Sequence, residues 1–480
     1  MLRRRLGKKR LLAIIAVASI GLLFAGAALA ASDFGSDRDR RLANASDDLF
    51  GVGKPVAASS TQSIDAATAN ADPTKLITLA KGLKARVVTT TSGANTDMMA
   101  FWPNDSKPTH LITCNEQGTA DPGVQRINLG TGATETIVTG TTACDPIRRT
   151  AWGTIIFGEE AGNAGQLYEL IDPLDTTGVT LDRTTGVFSG GVNPQNLVRR
   201  DVIGRLSFEG LGLLPNGVLY YTDELRPTNG RPGGSYYKFI PDTPFSGTTP
   251  IAQLSDSPLT SGAIFALKVG RRSGATDFGH GNSTGQGSWV PACNSVTSVP
   301  APCSNVDLGA FAATIRLTGF YRPEDLEVDG PALRAGRVRL CGNNTGIEEF
   351  SNFGETICVA DGTVAESLAN TAIPTAQLLV VGNPQFAMMD NLAQQFGSAN
   401  WVINEDGDQL QGNNDIWDCL SDGVDDDLLS DGCVRIATLN DLNAETTGGI
   451  FNADGTKYYV SIQHNVTGHG VVLVVTGWDF

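Results

Sequence analysis

The sequence predicts an all-β chain, a six-bladed β-propeller with long loop insertions over residues 76–480. Three observations predict it. The chain of 480 residues holds 56 glycines with no collagen period, so turns are frequent and strands short. From about Lys75 onward, short β-type runs alternate with Gly, Asn, Asp and Pro clusters. A turn followed by a strand that ends in adjacent polar groups recurs along the chain, which is the signature of a repeated sheet unit.

The recurring ends are Asn115-Glu116, Glu159-Glu160, Asp223-Glu224, Asn343-Asn344, Asn404-Glu405-Asp406 and Gln463-His464. Most have a second polar group before the preceding run: Asp145, Glu209, Arg322 with Glu324, Asp390-Asn391, and Glu445-Thr446. A hairpin brings the start of its first strand and the end of its second to one edge. Such residues would therefore gather on one face, around the central channel of a propeller. A β-sandwich also ends strands in polar residues, but six repeats of one pattern favour the propeller. Residues 226–305 carry few of these signals and read as a large surface insertion closed by Cys293 and Cys303.

Residues 1–30 are set aside. Six basic residues between Arg3 and Arg10 precede an apolar run from Leu11 to about Ala27, then Ala28-Leu29-Ala30. This is the layout of a bacterial-type export signal cleaved before Ala31; an uncleaved anchor would sit near the lower length limit for a span. Arg4-Arg5 also appears in twin-arginine leaders, but Leu6, Gly7 and Lys8 fit that pattern poorly. The mature protein is expected to be periplasmic or secreted, with no membrane contact. Residues 31–75 are small and polar in large part and read as a mobile lead-in.

Eight cysteines, an even number, suit disulfides in an oxidising compartment. Taken in order they close the loops 114–144, 293–303, 341–358 and 419–433, one connectivity of the 105 possible. No Cys-x-x-Cys occurs, which argues against a structural zinc cluster.

Charge narrows the chemistry. Lys and Arg total 35 against 51 Asp and Glu, and losing the leader moves the formal charge from −16 to −22. Such a chain is a poor partner for nucleic acid or an anionic membrane. It either tolerates self-repulsion or binds cations. Four histidines, no His-Glu-x-x-His and no phosphate-binding Gly-x-x-x-x-Gly-Lys-Ser/Thr leave little for histidine-zinc or nucleotide chemistry. Carboxylates and amides at strand ends suit hard cations such as Ca²⁺ or Fe³⁺. The stretch Asn404–Gly432 is the most acidic and does not fit an EF-hand register; it reads as a calcium-binding or a solvated loop. In Arg322-Pro323-Glu324-Asp325, an arginine fork stands beside a carboxylate, an arrangement that can hold a phosphate against a metal or form a plain ion pair.

The chain resembles the PhoX family of secreted alkaline phosphatases. The matching residues are Cys144 with Thr150-Ala-Trp-Gly-Thr154 and Glu159-Glu160, Gly204-Arg-Leu-Ser-Phe-Glu209-Gly210, Phe320-Tyr-Arg-Pro-Glu-Asp325, Asp390-Asn391-Leu392, Thr446-Thr-Gly-Gly449 and Ile462-Gln-His464. The resemblance implies a six-bladed propeller, a central site with iron and calcium, and hydrolysis of phosphate monoesters. It implies that Arg322 contacts phosphate, that Glu324 and Glu209 bind metal, that Cys144 is an iron ligand, and that Glu159 and Glu160 are the family's paired glutamates. Glu405 joins these as a metal candidate from its strand-end position, with Glu116, Asp223, Asp390, Asn391 and His464 as further candidates. Two departures stand out. Phe208 occupies a position where the family commonly has His. Cys114 lies on a neighbouring strand end, and a disulfide sulfur cannot act as a thiolate ligand.

The expected function is a secreted, metal-dependent phosphoesterase acting on a small phosphorylated substrate as a monomer, with Ca²⁺ and in addition Fe³⁺ as cofactors. The alternatives are a non-enzymatic, calcium-stabilised extracellular propeller used for binding, and a propeller lactonase with one Ca²⁺.

Overall fold

The computed structural model describes residues 36–227, 233–270, 284–347, 351–407, 414–421 and 428–480. The export leader and parts of the 404–432 stretch lie outside the described residues. The fold is nearly all-β, with its strands in five sheets. Four of the sheets have one strand at the inner edge, and the fifth has two. These inner strands are Thr96–Trp102, Cys144–Arg149, Phe208–Leu213, Pro323–Val328, Met389–Gln394 and Glu445–Phe451. Each touches the next, and the last touches the first, so six inner strands close a ring.

Four sheets stand as separate blades, led by the strands that start at Thr96, Cys144, Met389 and Glu445. The fifth is continuous over nine strands, with Phe208–Leu213 at one edge and Pro323–Val328 at the other. Its two halves join where Gly285 and Gln286 pair with Ala376 and Thr375. The architecture is therefore propeller-like, with five sheets in place of the six separate blades expected. The expectation of an insertion over 226–305 is also corrected. Tyr236–Pro241, Gly262–Val269 and Gly285–Asn294 are strands of the nine-stranded sheet. Long Gly- and Ser-rich connections between them hid the alternation.

The ring is fastened by chain ends that are far apart in sequence. Lys84–Ser92 pairs antiparallel with Gly470–Thr476, which in turn pairs with Lys457–Gln463. Gly470–Thr476 is rich in valine and buried along nearly its whole length. That is the composition of a strand covered on both faces. Ring pairs such as Phe101 against Tyr459, edge to face at 5.2 Å, pack one sheet on the next.

The lead-in is packed where a mobile segment was expected. Helices Ser36–Asn44 and Ser46–Phe50 lie against the 433–439 strand region, and Arg38 donates to the carbonyls of Ser430 and Asp431. Farther on, the backbone N–H of Val56 and Ile64 donates to the carbonyls of Arg435 and Asn440. Leu42, Phe50, Val52 and Leu76 join the same core as Val402, Ile416 and Val460. A few apolar anchors outweigh the polar composition around them, because a buried side chain of this size is worth ~1.5–3 kcal/mol. Phe50→Ala should accordingly lower unfolding stability by ~3–5 kcal/mol, read as a shift of the urea midpoint with unchanged slope. A loss under 1 kcal/mol would mean the segment is not part of the core.

All four sequential disulfides form, and Cys341–Cys358 and Cys419–Cys433 join residues directly opposite on adjacent strands. Among the described residues, no helix is long and apolar enough to cross a membrane.

Candidate metal centre

The six inner strands enter the ring with the same local device. Each begins by pairing with the last residue of its partner strand: Thr96 with Asn115, Cys144 with Glu159, Phe208 with Asp223, Pro323 with Asn344, Met389 with Glu405, Glu445 with Gln463. In five of them the register slips directly after that first pair, and in the strand from Glu445 it slips after Thr447. A bulge of this kind bends the strand and re-aims the side chain beside it. The residues following the first pair are Asp97, Asp145, Glu209, Glu324, Asp390 and Thr446.

A second ring comes from the residue just past each partner strand: Glu116, Glu160, Glu224, Thr345, Asp406 and His464. Together with Glu445, Arg322 and the 442–444 turn, most of these residues line an axial cavity of about 490 Å³. Ten carboxylates face it, with one arginine.

Side chains alternate along a strand, so a one-residue step changes the face. This corrects several sequence-predicted positions. Glu159 is the last ladder residue and turns away from the cavity. It accepts from Arg183 Nε at 2.8 Å, from the backbone N–H of Thr142 at 3.0 Å and from the Tyr168 hydroxyl at 3.2 Å. Its neighbour Glu160 faces the axis. Asp223 lines a separate cavity with Arg205 and Asp307, and Glu224 takes the axial place. Glu405 accepts the backbone N–H of Ala387 and Asp415 at 2.8 and 3.1 Å, and Asp406 takes the axial place. Asn391 accepts the N–H of Gly448 at 2.8 Å and so ties two inner strands together. Glu116, Glu160, Glu209, Arg322, Glu324, Asp390 and His464 are where the sequence expects them.

Cys144 is not available as a ligand, because its sulfur is bonded to Cys114. The pair is fully buried among apolar side chains including Met98, Ile112 and Ile147. Phe208, in the position where a histidine was the family's usual residue, packs at 5.7 Å on Tyr221 in an apolar core and offers no donor atom.

Asp97, Asp145, Glu224, Asp406, Asn414 and Glu445 join the site without having been singled out as ligands. Asp97 had the same signal as the others: a carboxylate before a β-type run, nineteen residues ahead of Glu116.

Three overlapping triads bring one oxygen from each residue within 4.8 Å of the others: Asp97–Glu116–Asp145, Asp145–Glu160–Glu209 and Glu209–Glu324–Asp390. Asp97 Oδ1, Asp145 Oδ1, Asp406 Oδ1 and Asn414 Oδ1 are buried with no hydrogen-bond partner. Unsatisfied buried oxygens are uncommon and expensive. All-oxygen triads with spare lone pairs fit a hard divalent cation such as Ca²⁺. They do not fit an iron site that depends on a thiolate from Cys144.

Without cations, crowding pushes protons onto these groups. Burial, then neighbouring carboxylates, holds Asp97, Asp145, Glu160, Glu209, Asp390 and Glu445 well above the ordinary carboxyl range. Burial raises Glu324 to about 8, against the opposing pull of Arg322.

Glu324 is the most firmly held of these carboxylates. Its Oε1 accepts from the Thr345 hydroxyl, and its backbone carbonyl accepts from Thr222 Oγ1 at 2.6 Å. Thr222 Oγ1 in turn accepts the N–H of Gly210 at 2.6 Å. Directly behind, Asp325 accepts from Arg148 Nη2 at 2.8 Å and from the N–H of Leu392 at 3.3 Å, which clamps three inner strands beneath the carboxylates. Arg322 sits in left-handed backbone, φ +52°, immediately before Pro323. A non-glycine residue is strained there, and the Arg322 side chain lines the cavity. Its Nε donates to Glu224 at 2.6 Å and its Nη2 to Asp406 at 3.2 Å, while Nη1 is buried and has no partner.

Fold and site together define a propeller-like protein with a carboxylate-lined axial cavity suited to hard cations and one arginine aimed into it. No family model matches the sequence, and no curated protein matches it. Among solved structures the chain is similar to Pseudomonas fluorescens PhoX in complex with vanadate, described as a transition state analogue. The TM-score is 0.59 at 16% identity, over 88% of this chain and 98% of that one. It is also matched to a gluconolactonase from Xanthomonas campestris, with TM-score 0.39 and 11% identity over 88% and 96% of the two chains. A third match is the PQQ-bound aldose sugar dehydrogenase from Streptomyces coelicolor, at 0.40 and 11% over 83% and 99%. The likeness to PhoX shows a shared fold.

Proposed function

We propose that the chain is a cation-dependent phosphoesterase that hydrolyses phosphate monoesters in the axial cavity after export from the cytoplasm. The observation that carries this reading is Arg322. A buried guanidinium with a free Nη1 edge stands over carboxylate triads, on a fold shared with a protein that binds vanadate. The six repeats of the bulge support reading the nine-stranded sheet as two blades joined along their outer strands, hence six blades in all.

Glu209, Glu324 and Asp390 would hold one cation, and the two neighbouring triads would hold others. When bound, Ca²⁺ supplies positive charge and Lewis acidity beside the phosphoryl oxygens. The chain's own groups do the rest. Arg322 presents Nη1 to a non-bridging oxygen, with Glu224 and Asp406 fixing the other nitrogens. The Thr345 hydroxyl and the Thr222 link keep Glu324 from turning. The His464 ring, at the cavity wall, can carry a proton to the departing ester oxygen. The apolar cores behind the inner strands limit water to the cavity itself.

The competing reading is a calcium-stabilised binding module without catalysis, and the oxidised Cys144 favours it by removing the thiolate an iron-assisted reaction would use. Turnover of para-nitrophenyl phosphate by the Ca²⁺-loaded protein separates the two. Arg322→Ala should lower kcat/KM by on the order of 10²–10³ with cooperative melting retained. Calcium-dependent melting with no turnover in the unaltered chain would favour the binding module instead.

A further inference from the structure

Among the described residues, Arg322 is the one basic side chain lining a cavity with ten carboxylates, apart from the imidazole of His464. It is already engaged: Nε with Glu224 at 2.6 Å, Nη2 with Asp406 at 3.2 Å and with Glu324 at 3.5 Å. Glu224 and Asp406 belong to none of the three convergent triads, whereas Glu324 belongs to the triad with Glu209 and Asp390. Glu324 is therefore shared between the guanidinium and the cation cluster. Arg322 Nη1 and the Oδ1 atoms of Asp97 and Asp145 are buried with no hydrogen-bond partner, a donor edge suited to an anion and acceptors suited to cations.

We propose that Arg322 couples cation binding to oxyanion binding. In the cation-free cavity the guanidinium is held by Glu224, Glu324 and Asp406, and the negative charge of these holders opposes an anion. A divalent cation on Glu209, Glu324 and Asp390 takes over the charge of Glu324 and reverses the local potential. Arg322 loses one of its three holders and turns its free edge to a tetrahedral oxyanion. The oxyanion, once bound, draws Arg322 further from Glu324 and tightens the cation in return, since coupling between two binding free energies is reciprocal. The inference rests on the phosphoesterase reading only in taking phosphate as the oxyanion.

The test is calorimetric titration of the processed full chain with Ca²⁺, with and without inorganic phosphate at concentrations that do not precipitate. Phosphate should tighten Ca²⁺ binding at least tenfold, and Ca²⁺ should tighten phosphate by the same factor. Glu224→Gln removes the nearest holder of the guanidinium. It should strengthen phosphate binding in the cation-free chain several-fold and shrink the coupling. Weaker binding of both ligands in this variant would make Glu224 an ordinary cation ligand and overturn the proposal. In Arg322→Gln the coupling should fall by tenfold or more, and unchanged coupling would also overturn it. Should that variant fail to melt cooperatively, Arg322→Lys serves in its place, with reduced coupling expected and unchanged coupling again fatal. Coupled binding without ester turnover would leave this inference standing and remove the catalytic reading. Turnover with no coupling would do the reverse.

Discussion

Glu324→Gln is expected to reduce phosphate-ester turnover by on the order of 10²–10³ and, in the same protein, to raise the melting temperature of the cation-free chain. The two effects have one cause. Glu324 is the residue on which the cation triad, the Arg322 fork and the Thr345 hydroxyl all converge. An amide of the same shape keeps the contacts behind it but removes the charge that would hold a cation and that pairs with the guanidinium. In the absence of cations that charge is a liability: the group is buried, and its carboxyl is pushed up to about 8. Taking it away relieves repulsion among the carboxylates around it. A residue with a purely structural role would lose stability on substitution, cations or not. Turnover assays on the Ca²⁺-loaded variant, together with melts in chelator, check both halves. Full turnover, or a lower chelated melting temperature, would take Glu324 out of the centre.

Much of this site was legible in the sequence, and the errors have a common form. Asp223 and Glu405 were named where Glu224 and Asp406 face the axis, and Glu159 was named beside Glu160 although only Glu160 lines the cavity. A strand reverses its side chain at every residue, so an error of one position moves a carboxylate from the channel to the space between blades. What fixes the phase is the bulge after the first pair, and a bulge leaves no mark in composition. Glu209, Glu324 and Asp390 line the cavity, each lying inside its bulge one residue after the first pair. The fold class followed from turn spacing, but sheet count did not. Whether Gly285–Asn294 ends one blade or bridges to the next depends on two residue pairs at an outer edge, which no local pattern encodes. The lead-in was misread for a different reason. Its polar composition is real, but Phe50 and Val52 are wholly buried, and a few such contacts decide whether a segment docks.

Withdrawing divalent cations should destabilise the protein more at pH 8 than at pH 5, and restoring Ca²⁺ should stabilise it more at pH 8. The axial carboxyls have folded-state protonation midpoints above their ordinary values, Glu324 at about 8, with Glu160, Glu209, Asp145, Asp390, Asp97 and Glu445 also raised, by burial and by neighbouring carboxylates. A group of this kind binds its proton more tightly folded than unfolded. Below the unfolded midpoint, near pH 4, both states are protonated and nothing is lost. As pH rises through the unfolded midpoint toward the folded one, the unfolded chain releases protons first and stability falls. Each pH unit by which folding raises one midpoint is worth ~1.4 kcal/mol, so even a heavily screened cluster represents several kcal/mol, a large part of the 5–15 kcal/mol typical of a folded domain. Cations act in the opposite sense. They compete with protons for the same oxygens, and each site at a hundred times its Kd adds ~2.7 kcal/mol, with more added where fewer protons must be displaced. Melting curves at pH 5, 6, 7 and 8, in chelator and in millimolar Ca²⁺, give the whole dependence. The expected pattern is a chelated melting temperature that falls steadily with pH and a calcium-induced rise that grows with it. A calcium effect that is flat across this range would mean that the cations stabilising the fold sit on ordinary surface carboxylates, and that the axial cluster is held by protons alone.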